Sequence, residues 1–176
     1  MSFDGTTTIV TGGASGIGLR VVERLHDAGA HVVVADRNQA ALDRLAGERG
    51  DRIHPVVADV REESDMELMV AIARDLGGLK LAVNAAGMGE GTQVVDQDLE
   101  TWNRVIGVVL TGVFLALKHE ARELIRLGNG GAIVNVASIN SNIPTWGSAA
   151  YSAAKSGVEM LTRSAAYELA AHNIRV

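Results

Sequence analysis

Cysteine is absent from the 176 residues, which excludes disulfides, thiolate catalysis and cysteine-held metal. A basic excess is absent too. Sixteen Lys and Arg stand against 21 Asp and Glu, a net charge of -5, which offers nucleic acid or an anionic membrane no general attraction. No run approaches the roughly 18 consecutive apolar residues of a membrane span. Met1-Ser2-Phe3-Asp4 leads straight into a predicted strand, without the profile of a signal peptide. Together these absences predict a cytoplasmic protein. No linker or shift of composition divides the chain, and 47% hydrophobic with 21% charged residues suits a globular fold. A length of 176 residues makes about one domain, enough to bury a core without disulfides or metal.

What is present is concentrated first in Thr6 to Gly18. Thr6 to Val10 is β-branched throughout and predicts a buried strand, glycine follows at 12, 13, 16 and 18, and Leu19 to Ala28 resumes with helical periodicity. Glycines let the backbone turn sharply and approach a pyrophosphate, while the amides of the next helix offer a positive dipole end. Gly12, Ser15, Gly16, Ile17 and Gly18 are therefore candidate cofactor residues. Taken alone, the same turn reads equally as a plain strand-to-helix connection, since its spacing is not the standard G-x-G-x-x-G.

Farther along, Ala30 to Ala35 predicts a second buried strand ending at Asp36, about twenty residues past the glycine turn. An acid there accepts hydrogen bonds from the adenosine ribose and repels the extra phosphate of NADP, so NAD is favoured. Arg37 keeps NADP open, because a guanidinium pairs with that phosphate. Ala40 to Leu45 predicts a short helix and Ile53 to Ala58 a third strand, with Asp59 and Val60 at its carboxyl end. These two border an adenine site in an open α/β sheet, although Asp59 serves equally as the N-cap of a helix from Glu62 to Leu76. Leu79 to Val83 predicts a fourth strand, and the small residues of Asn84-Ala85-Ala86-Gly87 let cofactor and backbone meet closely.

Trp102 to Leu127 predicts one long helix that is apolar on more than one face in its first half, which implies a partner subunit. Ala132 to Ala137 predicts a fifth strand stopping at Ser138. Ile139 to Ser148, with Asn140, Asn142, Pro144 and Trp146, is a candidate substrate wall. From Ala149 to Ala171 a further helix carries Tyr151 and Lys155, four residues apart and so on one face. Repeated βα units predict a doubly wound parallel sheet, Rossmann-like, in a single α/β domain over 1–176.

Removing hydride from an alcohol carbon requires a base for the hydroxyl proton, and reducing a ketone requires the same group as acid. A tyrosine, with an ordinary pKa of about 10, needs a neighbouring cation to serve as that base at neutral pH. Lys155 supplies the charge one turn from Tyr151, and Ser138 is the candidate hydrogen-bonding partner of the substrate oxygen.

Thr11-Gly12-x-x-x-Gly16-x-Gly18, Asn84-Ala85-Ala86-Gly87, Ser138 and Tyr151-Ser152-Ala153-Ala154-Lys155, in this order, resemble the classical short-chain dehydrogenase/reductase family along the whole chain. The resemblance implies Ser138, Tyr151 and Lys155 as catalytic residues and Lys155 as a holder of the nicotinamide ribose. Tyr151 thus counts among the cofactor-binding residues, with Asn84, Ala85, Ala86 and Gly87. It also implies NAD as cofactor, a small alcohol or ketone as substrate, and a homodimer or homotetramer through the helices at about 102–127 and 149–171. No metal is expected.

Two departures stand out. The family places an asparagine in the long helix, where it supports a kink and a water-mediated proton path to the lysine; this chain has Val109. Asn173-Ile174-Arg175-Val176 resembles the start of a sixth strand, after which the family continues with a substrate lid that this sequence lacks. The expectation is an NAD-dependent oxidoreductase of secondary alcohols and ketones. The alternative is a non-catalytic dinucleotide-binding or interaction protein.

Overall fold

The computed structural model describes residues 2–176. Among them six strands and six α-helices follow in order: β1 (Thr7–Thr11), α1 (Gly16–Asp27), β2 (His31–Asp36), α2 (Gln39–Arg49), β3 (Ile53–Val57), α3 (Glu63–Asp75), β4 (Leu79–Asn84), α4 (Leu99–Ile106), α5 (Gly112–Leu127), β5 (Gly131–Asn135), α6 (Ala149–Leu169) and β6 (Ile174–Arg175). The strands form one parallel sheet in the order β3-β2-β1-β4-β5-β6. This is the doubly wound Rossmann arrangement.

Burial on both faces explains why the central strands carry unbroken β-branched and apolar runs. Thr7–Thr11 is buried at every position, and so are the four central residues of β2. Alternate side chains divide between the faces. Val10, Val32 and Val34 pack with Val22 and Leu25 of α1 and Leu42 and Leu45 of α2. Ile9, Val33 and Ile133 pack on the other face with Met66 and Met69 of α3 and Leu115 and Leu124 of α5. Parallel neighbours need crossovers, and the strand order reverses between β1 and β4. A crevice opens there, beyond the carboxyl ends of the strands.

Several boundaries differ from the sequence expectation. α1 begins at Gly16 rather than Leu19, because Gly16, at φ 53, already makes the turn into the helix. The long helix starts at Leu99, where the Asp98 carboxylate accepts the Thr101 amide at 2.7 Å. It is also not uniform, since residues Gly107–Thr111 form a π-helical turn between α4 and α5. A Cβ on Gly112, which follows that turn, would lie 2.6 Å from the Val60 side chain, so glycine sets how closely α5 approaches the loop after β3.

From Leu99 to Leu127 the helix is 29 residues long, and it holds an 18-residue window with a mean hydropathy of 1.3. Length and apolarity sufficient to cross a membrane thus exist here. The expectation from consecutive apolar residues missed this, because polar positions interrupt the run without lowering its average much. Val113, Ala116, Leu117 and Leu124 turn inward and are buried, whereas Phe114 and Ile125 stay exposed.

Candidate active site

The glycine turn occupies the crevice between β1 and β4. Gly12 has φ 66, and a Cβ there would come within 2.7 Å of the Ala86 Cα, so the turn lies directly against the segment that follows β4. Gly18 is tighter still, since its Cβ would stand 2.2 Å from the Gly12 carbonyl oxygen. A Cβ on Gly13 would lie 2.6 Å from the Val34 side chain, so glycine there lets α1 settle onto the sheet. Ser15 precedes α1 without a side-chain bond to its amides, so the helix N-terminus faces the crevice without a side-chain cap.

At the end of β2, Asp36 holds the turn in place. One carboxylate oxygen accepts the Ala14 amide at 3.1 Å and the other the Asn38 amide at 3.1 Å. Each oxygen retains a further lone pair. Asp59 does not cap α3. Its carboxylate takes a two-pronged bond from Arg61, Nε at 3.0 Å and Nη2 at 2.5 Å, while Glu62 occupies the cap position without a side-chain bond. Hydrogen bonding by Arg61 holds the Asp59 carboxyl below its ordinary range, and the charge of Arg37 adds to the effect.

These residues line a cavity of about 610 Å³. Gly12, Ser15, Gly16, Ile17, Gly18, Asp36, Arg37, Asp59 and Val60 form one part of its wall, and Ala85, Ala86 and Gly87 another. Tyr151 and Lys155 close it from α6. The Lys155 ammonium is 5.7 Å from the Tyr151 ring centroid and donates to the Val136 carbonyl at 2.5 Å. Lys155 is buried, and burial pushes its pKa below the usual lysine value.

Two predicted site residues stand away from the wall. Ser138 is half-buried just after β5, with its Oγ accepting the Asn140 amide at 3.1 Å. Asn84 is turned beneath the sheet, because strand alternation sends its side chain toward α5 rather than into the crevice. There it donates to Asn135 at 3.0 Å and to Glu120 at 2.9 Å, and Asn135 in turn donates to Thr162 of α6 at 3.0 Å. Asn84 therefore ties β4 to β5 and α5 behind the cavity.

In the predicted substrate wall, Pro144 and Trp146 line a second cavity of about 330 Å³ with Val94 and Val95. Asn140 and Asn142 are engaged elsewhere, on Thr145 and Glu159. Glu63, Glu67 and His119 bring three potential metal-ligand atoms within 4.8 Å of one another. Lys118 and His119 already pair with Glu63, so the cluster reads as a clamp between α3 and α5.

Residues 6–176 match the family described as short chain dehydrogenase. The chain belongs to that family. Its relatives include a cis-4-hydroxycyclohexanecarboxylate dehydrogenase of Sinomonas cyclohexanicum, 41% identical over 99% of this chain and 72% of the relative. Another is 3beta-hydroxysteroid dehydrogenase 2 of Eggerthella lenta, 36% identical over 97% of this chain and 68% of the relative. A short-chain type dehydrogenase/reductase from Mycobacterium marinum superposes with a TM-score of 0.95 at 33% identity, covering 99% of this chain and 73% of that one.

For this short-chain dehydrogenase the cavity also has walls that the sequence did not single out. Met88 and Gly89 extend the wall begun by Ala85, and Val108 and Val136 reach it from the π-helical turn and from the end of β5. The available signal was continuity with the Asn84-Ala85-Ala86-Gly87 turn, which argued for two further residues. Val108 carried no such signal, because a π-helical turn changes which side chains face the site.

Proposed function

We propose that this short-chain dehydrogenase transfers hydride between NAD(H) and a secondary alcohol or ketone, with Tyr151 as acid and base, Lys155 as its cationic support and Ser138 as a hydrogen-bonding partner of the substrate oxygen. The observation that carries the reading is that Tyr151 and Lys155 share one cavity with the glycine turn and Asp36. The crevice suits a dinucleotide, since a Cβ at Gly12 or Gly18 would fill the space through which backbone and ligand meet. The uncapped start of α1 would hold the phosphates, Asp36 the adenosine ribose, and Asp59 and Val60 would border the adenine. When bound, the cofactor supplies the hydride acceptor or donor.

The chain's own residues manage the proton. In alcohol oxidation the Tyr151 phenolate takes the hydroxyl proton, and in ketone reduction the phenol returns it. Lys155 supplies the positive charge beside Tyr151, and its bond to the Val136 carbonyl holds the ammonium 5.7 Å from the ring centroid. Asp36 supports NAD over NADP, because its carboxylate repels a phosphate on the ribose. The ring alcohols named for the relatives, a hydroxycyclohexanecarboxylate and a hydroxysteroid, support an alicyclic alcohol as substrate. Exposed Phe114, Ile125, Met160 and Tyr167 on α5 and α6 support association of copies of the chain through these helices.

The test is titration with NAD and NADP followed by turnover on a panel of secondary alcohols, with Tyr151→Phe alongside. NAD binding with turnover that Tyr151→Phe reduces by at least about a hundredfold supports the reading. Binding without turnover in the parent would favour a non-catalytic dinucleotide-binding protein, for which Val109 in the place of the family's asparagine is the favouring observation.

A further inference from the structure

The helix that carries Tyr151 begins in an unusual way. Ser148 stands at the N-cap of α6, yet its side chain makes no bond to the helix amides. Its hydroxyl donates instead to the Thr145 carbonyl at 2.7 Å. The acceptor comes from another part of the chain. Glu90, sixty residues earlier in the loop between β4 and α4, takes the Ala150 amide on Oε1 at 3.1 Å. Its second oxygen accepts from the Gln97 side chain, so both carboxylate oxygens are engaged.

Three other contacts join the same two segments. Thr92 and Ser148 form an isolated parallel bridge. Gly147, at φ 71, lies so close to Gly91 that an added Cβ would be 3.1 Å from the Gly91 carbonyl carbon. Met88 packs against the cluster of Val105, Val109, Ala150 and Ala154, beside Tyr151. The same loop supplies Gly87, Met88 and Gly89 to the cavity wall.

We propose that Glu90 is a positioning residue for Tyr151: its carboxylate caps α6 from the β4–α4 loop and joins the cofactor-side wall to the catalytic helix as one unit. The inference rests on the reading of Tyr151 as the acid and base. A helix start held from its own chain neighbour would move independently of the cavity wall. Held from Glu90, the first turn of α6 is tied directly to the position of residues 87–92. Ordering of that loop by a bound dinucleotide therefore also fixes the phenol.

The test compares Glu90→Ala with Glu90→Gln. Glutamine retains an oxygen for the Ala150 amide, and its NH₂ is met if Gln97 turns over to present its own side-chain oxygen, which is buried without a partner. In Glu90→Ala, hydrogen exchange at the Ala150 amide is expected to rise about tenfold, the ratio equivalent to about 1.4 kcal/mol and typical of a lost cap. The kcat should fall by a similar factor while the Kd for NAD stays within about twofold, since no residue of the glycine turn is touched. Glu90→Gln should restore exchange and kcat to within about threefold of the parent. Unchanged exchange at Ala150 in Glu90→Ala would overturn the proposal, as would failure of glutamine to rescue. An equal rise at the amides of β1 and β4 would also overturn it, because that marks general destabilisation. Exchange is read without turnover, so a parent inactive on every alcohol would remove the role of Tyr151 while the clamp is still judged at Ala150.

Discussion

Replacing Glu120 by glutamine should make the protein more stable, by an amount that grows with pH. Glu120 is fully buried on α5, with one carboxyl oxygen accepting from Asn84 at 2.9 Å and the other without a partner. Burial pushes its pKa from 4.5 up to about 7. A carboxyl raised in the folded state stabilises it fully below the unfolded value and costs stability as pH rises through the folded one. Linkage between 4.5 and about 7 gives a penalty below about 0.5 kcal/mol at pH 4.5, about 2 kcal/mol at pH 6 and about 3 kcal/mol at pH 8. Glutamine copies the neutral acid. Its carbonyl keeps the Asn84 bond and its NH₂ takes the place of the protonated oxygen, but it cannot ionise. Urea unfolding of parent and Glu120→Gln at pH 4.5, 6 and 8 should therefore show near-equal stability at the lowest pH and a widening gain for the variant above it. A difference that stays constant over this range, or a parent more stable at pH 8, would refute the reasoning.

Three other outcomes follow from the same structure. Glu123 has the opposite sign: hydrogen bonds from Arg126 and Arg74 hold it at about 2, so its contribution is present above 4.5 and lost as pH falls from there toward 2. After discounting for the half-exposed guanidinium groups, Glu123→Gln should remove about 1–2 kcal/mol at pH 6 and flatten the acid limb of the stability profile. Gly18→Ala puts a methyl 2.2 Å from the Gly12 carbonyl oxygen, and should lower stability by about 1–3 kcal/mol and weaken NAD binding at least tenfold by calorimetry. Val109→Asn tests whether valine slows the proton path, with kcat expected to rise about fivefold, the rate equivalent of one net hydrogen bond of about 1 kcal/mol; equal turnover would remove the idea.

The parts of the fold that were legible in the sequence are those set by short-range periodicity. Unbroken β-branched runs such as Thr7–Thr11 and Val32–Val34 mark strands buried on both faces. Glycines at 12, 13 and 18 mark close approaches because no other residue fits them. Tyr151 and Lys155 were legible as a pair for the same reason, since a separation of four residues on a helix is a local geometric fact. The π-helical turn at Gly107–Thr111 was not. It depends on how α5 fits against Val60 and how Val109 packs on α6, and neither contact is written in the spacing of its own residues. The turn forms with Val109 buried in it, so a polar side chain is not what bends this helix.

Polar pairings across long separations were equally hidden. Asn84 was read as a cofactor residue from its motif, but the parity of β4 aims it at Asn135 and Glu120, 51 and 36 residues away. Glu90 carried no signal at all, because a carboxylate in a loop looks the same whether it is solvated or sixty residues from the amide it caps. These partners share a consequence for the site. Thr11, Asn84 and Asn135 stand in register at the carboxyl ends of β1, β4 and β5, and Thr11 accepts the Ala86 amide at 3.4 Å. The row joins the cavity wall to Glu120 on α5 and Thr162 on α6. Ionisation of Glu120 would bury a charge that only the Asn84 amide offsets, so the pH that loosens the core acts on the same row that joins α5 to the wall carrying Ala85 and Ala86.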